Sequence, residues 1–150
     1  MEMIGVIGAG DATDEQVRTA EAVGELIAQS GYALITGGLT GVMEGASRGA
    51  KNAGGTTVGI IPGNDSIEAN PYLDIVIPSG MGDMRNMLIV RSAKGLIAVG
   101  GGYGTLSEIA LSKKRKVPLV TINSWDISED ILRAKDAAEA MDILLKLIKK

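Results

Sequence analysis

Six short apolar segments recur along the chain, and longer stretches with helical periodicity separate them. The segments are apolar at nearly every position instead of alternating, which is typical of strands buried on both faces of a parallel sheet. They are MIGVIG (3–8), YALIT (32–36), TTVGII (56–61), LDIVIP (73–78), KGLIAVG (94–100) and VPLVTI (117–122). The pattern predicts a doubly wound α/β fold, with a mostly parallel sheet and helices on both faces.

Helices are predicted between these segments, and two of them carry the same N-terminal signal. Thr13 and Gln16 have the spacing of a capping box, which begins a helix that runs to about residue 29 and is followed by Gly31. Thr105 and Glu108 repeat this spacing at the start of a predicted helix to about residue 114. Further helices are predicted over 41–53 and 83–92 and from 136 onward.

The composition limits the chemistry. The 150 residues are predicted to form a single domain, 1–150, with a core of aliphatic side chains. The absence of cysteine and histidine excludes disulfides, thiol catalysis and a Ser-His-Asp triad, and it removes the commonest zinc ligand. Any chemistry must use carboxylates, lysine, arginine, tyrosine, hydroxyls or backbone amides, and no metal site is predicted.

The charge pattern argues against nucleic acid and membrane partners. The formal net charge is -3, and the basic run Lys113–Lys116 follows a predicted helix, where cations complement the helix dipole. No apolar stretch approaches the roughly 18 residues of a membrane span, and the N-terminus lacks the basic region of a signal peptide. The sequence therefore predicts a cytoplasmic protein that binds neither nucleic acid nor membrane.

Glycine-rich turns follow four of the predicted strands: GAGDAT (8–13), TGGLTG (36–41), IPGND (61–65) and VGGGYGT (99–105). Ligands of open α/β sheets bind outside the carboxyl ends of the strands, where such turns lead into helix N-termini. The turns therefore predict one anion-binding crevice. Its predicted phosphate- or nucleotide-binding residues are Gly8, Gly10, Gly37, Gly38, Gly41, Gly101, Gly102, Tyr103, Gly104 and Thr105. Tight helix-to-sheet packing is an alternative reason for Gly41, Gly45 and Gly49.

The stretch VGGGYGTLSE (99–108) carries the strongest phosphate signal. Its glycines leave the backbone with little steric restriction. The amides of Leu106, Ser107 and Glu108 follow Thr105 at the predicted helix start, where they lack intrahelical acceptors and can bind an anion. The stretch therefore predicts a phosphate site at this helix N-terminus.

Arg85 and Glu108 are the candidate catalytic residues. Glu108 has two open interpretations: it completes the cap at Thr105, or it faces an uncharged part of the ligand such as ribose hydroxyls. Arg85 lies in the helix predicted before the fifth strand, and a right-handed crossover brings the start of that helix to the same edge of the sheet. A guanidinium there binds phosphate or orients a carboxylate. Arg91 is interpreted as an exposed or intersubunit charge.

Two common nucleotide-binding motifs are disfavoured. The GxGxxG pattern at Gly8 and Gly10 is imperfect, and the second strand ends in LITGG (34–38) without the acidic residue that binds ribose. No GxxxxGK[ST] occurs. Neither a dinucleotide site nor a nucleoside-triphosphate P-loop is predicted.

The sequence resembles the SLOG superfamily of Rossmann-like proteins over nearly its whole length. GGLTGVMEGASRGA (37–50), together with an arginine helix, a strand and GGxGTxxE (101–108), looks like its "lonely guy" group of nucleotide phosphoribohydrolases, also labelled lysine decarboxylases. The resemblance implies that Arg85 and Glu108 carry catalysis and that Gly101 to Thr105 holds a 5′-phosphate. It also implies a homo-oligomer, a dimer or tetramer, with the crevice near a subunit interface.

The chain departs from that group at three positions. Gly100 replaces a proline, Asn86 a lysine and Gly82 a methionine. GDMRNMLIVRSA (82–93) with GGGYGTLSEIA (100–110) is closer to a sister subgroup, to which the molybdenum-cofactor carrier proteins are also similar.

Two functions follow from the resemblance. One is hydrolysis of the N-glycosidic bond of a nucleoside 5′-monophosphate to free base and ribose 5-phosphate. The alternative is a non-catalytic carrier or sensor of a nucleotide or phosphorylated pterin, with no required cofactor beyond a bound nucleotide or molybdopterin-type ligand. A lysine decarboxylase is not predicted, because pyridoxal phosphate needs a Schiff-base lysine and neither Lys51 nor Lys94 has a motif around it.

Overall fold

Seven strands form one sheet in the computed structural model, which describes residues 1–149. The strands are β1 (Met3–Gly8), β2 (Ala33–Thr36), β3 (Thr57–Ile61), β4 (Ile75–Pro78), β5 (Gly95–Val99), β6 (Leu119–Ile122) and β7 (Leu132–Arg133). The α-helices are α1 (Asp14–Gln29), α2 (Val42–Asn52), α3 (Arg85–Ser92), α4 (Tyr103–Arg115) and α5 (Ala137–Ile148), with 3-10 turns at Ser66–Glu68 and Gly82–Met84. All strand pairs are parallel, which confirms the predicted α/β fold.

The sheet is doubly wound about β1, with the strand order β4-β3-β2-β1-β5-β6-β7. The chain runs outward from β1 to β4 and then returns to β5 on the other side of β1. Helices α1, α2 and α5 pack on one face, and α3 and α4 pack on the other. In such sheets the loops leaving the two strands at the reversal diverge, and ligands bind between them. The carboxyl ends of β1 and β5 therefore frame the expected site.

Aliphatic side chains form the core on both faces of the sheet. In β1, Ile4 and Val6 pack toward α1, α2 and α5, whereas Ile7 packs toward α3 and α4. All three side chains are buried, as the non-alternating apolar pattern predicts for a parallel strand covered on both faces.

The predicted strands are confirmed with small changes of bounds. β1 has the predicted bounds, and the next five strands begin or end one or two residues inside theirs. The seventh strand, β7, was not predicted because its two residues are exposed and make no apolar run. The turn at 61–65 and the loops that follow β1, β2 and β5 all lie at the carboxyl edge of the sheet.

The helices also agree with prediction, except for the start of α4. The capping box at α1 is confirmed, and Gly31 follows the helix end with a φ of 83°. Lys113 and its basic neighbours occupy the last turn of α4, as expected from the helix dipole. Within residues 1–149, no helix combines the length and the apolar character required to cross a membrane.

Two glycines bring α2 close to α1. A Cβ at Gly45 would lie 2.8 Å from the Val17 carbonyl oxygen, and one at Gly49 would lie 2.0 Å from that of Glu21. The packing interpretation of these glycines is therefore correct, but the close neighbour is α1 and not the sheet. The start of α2 is held beside the carboxyl end of β1 by the Val42 amide, which donates to the Ala9 carbonyl at 3.1 Å.

Candidate functional site

A cavity of about 340 Å³ opens at the carboxyl edge of the sheet, beside the reversal at β1. Its volume is at the small end of the range of roughly 300–1,000 Å³ that is typical of small-molecule sites. The turns after β1, β2 and β5 contribute to its wall together with the start of α3. The predicted site residues that line it are Gly8, Gly10, Gly37, Arg85, Gly102, Gly104, Thr105 and Glu108.

Four predicted site residues do not line the cavity. Gly38 packs against Ile61 of β3, and Gly41 packs against the carbonyls of the turn after β1. Gly101 contacts the side chain of Thr105, where a Cβ would lie 2.4 Å from the threonine Cβ. Tyr103 is 83% exposed and does not line the cavity. These four residues shape or flank the loops that form the cavity wall.

The helix start predicted at Thr105 is wrong. Helix α4 begins two residues earlier, at Tyr103, with Gly102 as its N-cap residue and no side-chain cap. The amide of Leu106 donates to the carbonyl of Gly102 at 3.0 Å, so the amides without intrahelical acceptors are those of Tyr103, Gly104 and Thr105. Leu106 and the residues after it therefore cannot supply the free amides that the sequence analysis assigned to them.

The capping box predicted between Thr105 and Glu108 is likewise wrong. Glu108 lies in the second turn of α4 and does not accept a hydrogen bond from the Thr105 amide. The glycines explain the shift, because they let the helix start at Tyr103 before any side-chain cap is available. Of the two open interpretations of Glu108, the capping role is therefore excluded.

The loop before α4 is held in place by the segment after β6. The Trp125 indole Nε1 donates to the Gly102 carbonyl at 2.9 Å, and the Ser124 hydroxyl donates to the Gly100 carbonyl. In a planar trans peptide the carbonyl and the next amide point in opposite directions. The amides of Gly101 and Tyr103 therefore point away from Ser124 and Trp125.

Trp125 was missed by sequence reasoning. Its ring stacks on Tyr103, with centroids 5.8 Å apart, and its indole anchors the glycine loop. As the single tryptophan of an aromatic-poor chain it carried a compositional signal, but its position outside every motif gave no indication of its contact.

Arg85 joins the carboxyl ends of two strands. Its Nε donates to the Ile60 carbonyl of β3 at 2.9 Å, and its Nη2 donates to the Gly37 carbonyl after β2 at 3.3 Å. Its Nη1 donates to the side chain of Asn86. Gly37 is required here, since a Cβ would lie 2.6 Å from Nη2. Burial lowers the pKa of Arg85, against the raising effects of Glu108 and Asp83.

Asn86 and Asp83 also line the cavity. Asn86 Nδ2 donates to the Ser107 hydroxyl at 3.1 Å and so links α3 to α4 beside the cavity. Asp83 is exposed and stands at the start of the arginine helix, although the sequence gave it no motif. Leu39 and Met43 add apolar wall that periodicity could not assign to a ligand site.

Thr105 and Glu108 are the buried polar side chains that α4 turns toward the cavity. They are 3% and 6% exposed, and they lie three residues apart on one face of the helix. Within residues 1–149 neither side chain has a hydrogen-bond partner, and neither has a buried atom sealed from solvent. Their polar atoms therefore face the cavity and are available to a ligand.

Burial raises the pKa of Glu108 to about 8, and the nearby Arg85 charge only partly opposes this effect. No Arg85–Glu108 ion pair within 4.0 Å is found among residues 1–149, because the guanidinium is engaged with backbone carbonyls. At neutral pH Glu108 is thus mainly a neutral acid.

The arrangement is suited to binding an anion. The positive end of the α4 dipole lies at the cavity, where Gly104 and Thr105 of the first turn line the wall, and burial raises the pKa of Glu108 to about 8. No cluster of three or more acidic, histidine or cysteine side chains that could hold a metal is present in residues 1–149. The helix dipole and the free amides therefore favour an anionic ligand.

Known proteins resemble this chain over most of its length. An uncharacterized protein from Archaeoglobus fulgidus is 53% identical over 111 residues, which is 74% of this chain and 73% of that protein. The molybdenum cofactor binding protein of Rippkaea orientalis is 35% identical, with a TM-score of 0.93 over 98% of this chain and 97% of that one.

The molybdenum cofactor carrier protein of Chlamydomonas reinhardtii is 37% identical, with a TM-score of 0.91 over 100% of both chains. The model of the SLOG cluster4 family matches residues 1–148. With the cavity at the reversal of a parallel sheet and a match over nearly all of its residues, the chain belongs to the SLOG cluster4 family.

Proposed function

We propose that this protein binds a phosphorylated pterin of the molybdenum-cofactor type and carries it without chemical change. The observation that carries the proposal is the uncapped N-terminus of α4, which opens into the cavity beside two unpartnered buried side chains. Proteins that bind or carry the molybdenum cofactor share the fold of this chain at 35% and 37% identity.

The phosphate is assigned to the first turn of α4. The amides of Tyr103, Gly104 and Thr105 are free of intrahelical acceptors, and the Thr105 hydroxyl adds a donor that has no partner within residues 1–149. Charge-assisted hydrogen bonds from such amides to an anion are about twice as strong as neutral ones. The glycine loop ahead of the helix leaves space for the phosphate to approach the backbone.

The remainder of the cavity suits an uncharged heterocycle. Leu39 and Met43 provide apolar contacts, and the neutral carboxyl of Glu108 provides a donor and an acceptor. A flat ring with hydrogen-bonding edges, such as a pterin, matches this combination of apolar wall and a few placed polar groups.

Carrying is favoured over N-glycosidic hydrolysis by the state of Glu108. A carboxyl that stabilises an oxocarbenium-like ribose must be ionised, but burial keeps Glu108 mainly protonated at pH 7. Arg85, the other residue implied in catalysis, is occupied by the carbonyls of Gly37 and Ile60. Both features therefore support carrying over hydrolysis.

The test is retention of the cofactor. Molybdenum cofactor released anaerobically from a purified molybdoenzyme is dialysed against the protein, and the molybdenum and the oxidised pterin in the protein compartment are quantified. The proposal expects both to accumulate in equal amounts. A parallel incubation with a panel of nucleoside monophosphates should release no free base.

Thr105→Val gives a matched variant for this experiment. The substitution removes only the unpartnered hydroxyl and should weaken retention about ten- to a hundredfold, because a hydrogen bond to a charged group contributes roughly 1.5–3 kcal/mol. Thr121→Val makes the same change at a buried threonine of β6 outside the cavity and should leave retention unaltered. Base release that is lost in Glu108→Gln would instead support hydrolysis.

A further inference from the structure

We infer that Glu108 binds the ligand as a neutral carboxylic acid, donating its proton to an acceptor of the phosphorylated ligand, so that one proton is held with each ligand bound. The inference rests on the proposed phosphorylated ligand. It assigns to Glu108 a binding role that depends on its proton, which differs both from a helix cap and from a catalytic carboxylate.

The geometry leaves Glu108 without any other partner. Its side chain is 6% exposed, lines the cavity and has no hydrogen bond within residues 1–149. The nearest cation, Arg85, directs its Nε and Nη2 to the carbonyls of Ile60 and Gly37. A buried carboxyl in this position is satisfied only by the contents of the cavity.

The charges around Glu108 come from few groups. Arg85 of α3 and Asp83 in the turn before it are the other ionisable residues of the cavity wall. The segments from β1, β2 and α2 present apolar side chains or backbone there. An ionised Glu108 would therefore face a phosphate dianion with no cation dedicated to it, and like charges brought together in a buried site repel strongly.

Protonation removes this conflict and supplies a donor. Thr105 and Glu108 lie on one face of α4, so a ligand that binds the Thr105 hydroxyl or the first-turn amides also reaches the region of the Glu108 carboxyl. The protonated acid then satisfies its own hydrogen bond and one acceptor of the ligand. When free protein with an ionised Glu108 binds ligand, the proton is taken from solvent.

The affinity should therefore fall as Glu108 ionises. Burial raises the pKa of this carboxyl to about 8. If only the protonated form binds, the dissociation constant grows as the protonated fraction falls, which makes binding about tenfold weaker at pH 9 than at pH 7. Glutamine at this position keeps an amide donor and cannot ionise, so its variant should not show this loss.

The experiment is calorimetric titration of the wild-type protein and the Glu108→Gln variant with neopterin monophosphate between pH 7 and pH 9. Ionisation of the probe affects both proteins, so the ratio of their dissociation constants isolates Glu108. The ratio of wild type to variant is expected to rise about tenfold over this range. Repeating the pH 9 titration in buffers of different ionisation enthalpy should give about one more proton taken up by the wild type per ligand.

Two carboxylate variants serve as controls. Glu44→Gln makes the same substitution on α2, outside the cavity wall, and should keep the wild-type pH dependence. Asp83→Asn neutralises the exposed carboxylate of the wall. A pH dependence that vanishes in Asp83→Asn and persists in Glu108→Gln would overturn the inference.

The possible failures can be told apart. A ratio that stays constant from pH 7 to pH 9 overturns the role of Glu108 and leaves the carrier function standing. Failure of the wild type to bind neopterin monophosphate and molybdenum cofactor at pH 7 removes the carrier function and this inference together. Carbon-detected NMR of wild-type protein needs no variant: bound ligand should keep one glutamate carboxyl protonated to higher pH, and an unchanged titration would contradict the inference.

Discussion

The N-termini of α1 and α4 lie at the same edge of the sheet but are built in opposite ways. At α1, Thr13 Oγ1 accepts the Gln16 amide at 3.2 Å, and Gln16 Oε1 accepts the Thr13 amide at 3.0 Å. At α4, Gly102 offers no side chain, and Gly104 and Thr105 of the first turn line the cavity. The protein thus satisfies one helix end internally and leaves the other for a ligand.

The comparison indicates that a helix N-terminus without a side-chain cap marks a candidate ligand site. A missing N-cap costs a helix about 1 kcal/mol, and a bound ligand recovers stability through its binding free energy. Gln16 and Glu108, each three positions after the predicted cap residue, also have different roles. Gln16 completes the cap, whereas Glu108 is displaced into the second turn and buried behind the free amides.

The largest effect is expected from the buried carboxyl of α4. Because the pKa of Glu108 is raised to about 8 from 4.5, the native state keeps a proton that the unfolded state loses between these values. This contribution to stability is complete below pH 4.5 and is lost as the pH rises to about 8. Glutamine cannot ionise, so Glu108→Gln removes this pH dependence of stability. Between pH 4.5 and about pH 8, the ratio of folded to unfolded protein should therefore rise in the variant relative to the wild type by up to about tenfold per pH unit. Urea unfolding of both proteins at pH 5 and pH 8 measures this change. The same difference in unfolding free energy between variant and wild type at both pH values would contradict the prediction.

A cap added to α4 should convert its N-terminus into one like that of α1. Gly102 has an extended backbone, and a Cβ there would have no neighbour within 4 Å, so Gly102→Asp is sterically allowed. The new carboxylate should cap the first-turn amides, raise the unfolding free energy by about 0.5–1 kcal/mol and weaken binding of a phosphorylated pterin about a hundredfold. Denaturation and calorimetry on one sample test both effects. Weaker binding together with lower stability would indicate a distorted loop instead.

The glycine conformation before α4 should matter more than an equivalent one elsewhere. Gly101 has a φ of 109°, and a Cβ there would collide with Thr105, so Gly101→Ala should cost about 2–3 kcal/mol of stability and most of the ligand affinity. Gly54→Ala is the matched control, since its φ is 78° and a Cβ would have no neighbour within 4 Å. It should cost about 1 kcal/mol with unchanged affinity. Equal losses of ligand affinity in Gly101→Ala and Gly54→Ala would show that the backbone conformation at Gly101 does not affect ligand binding.

The smallest effect belongs to the cap of α1. Thr13→Ala removes the acceptor of the Gln16 amide and should lower the unfolding free energy by about 1 kcal/mol. Because this capping box lies outside the cavity wall, ligand affinity should stay within twofold of the wild type. Thermal unfolding and calorimetric titration check the two values. A large loss of affinity would mean that α1 takes part in the site.

The architecture was predictable because parallel strands that are covered on both faces are apolar at nearly every position of the sequence. The turns after β1, β2 and β5 were also identified, since glycine-rich turns at the carboxyl edge mark helix N-termini. Contacts between distant segments were not predictable in this way. The anchoring of Gly102 by Trp125 depends on the course of the loop after β6, which carries no periodic signal.

The capping-box spacing predicted the start of α1 correctly and the start of α4 wrongly. Thr13 and Gln16 follow residues that do not extend the helix, so the side chains define its start. Before Thr105, the backbone of Gly102 already lets the helix begin at Tyr103. The burial of Glu108 follows from that shift, and no local motif encodes it. The predicted dimer or tetramer stays a prediction.

The proposed function depends on binding of the ligand's phosphate by the free amides of α4. Calorimetric comparison of neopterin monophosphate with neopterin at pH 7, on wild-type protein and on Gly102→Asp, tests it most directly. The phosphate should improve wild-type affinity about a hundredfold, and this advantage should be lost in the variant. Equal affinities of the two compounds for the wild type, or a phosphate advantage retained in Gly102→Asp, would contradict it.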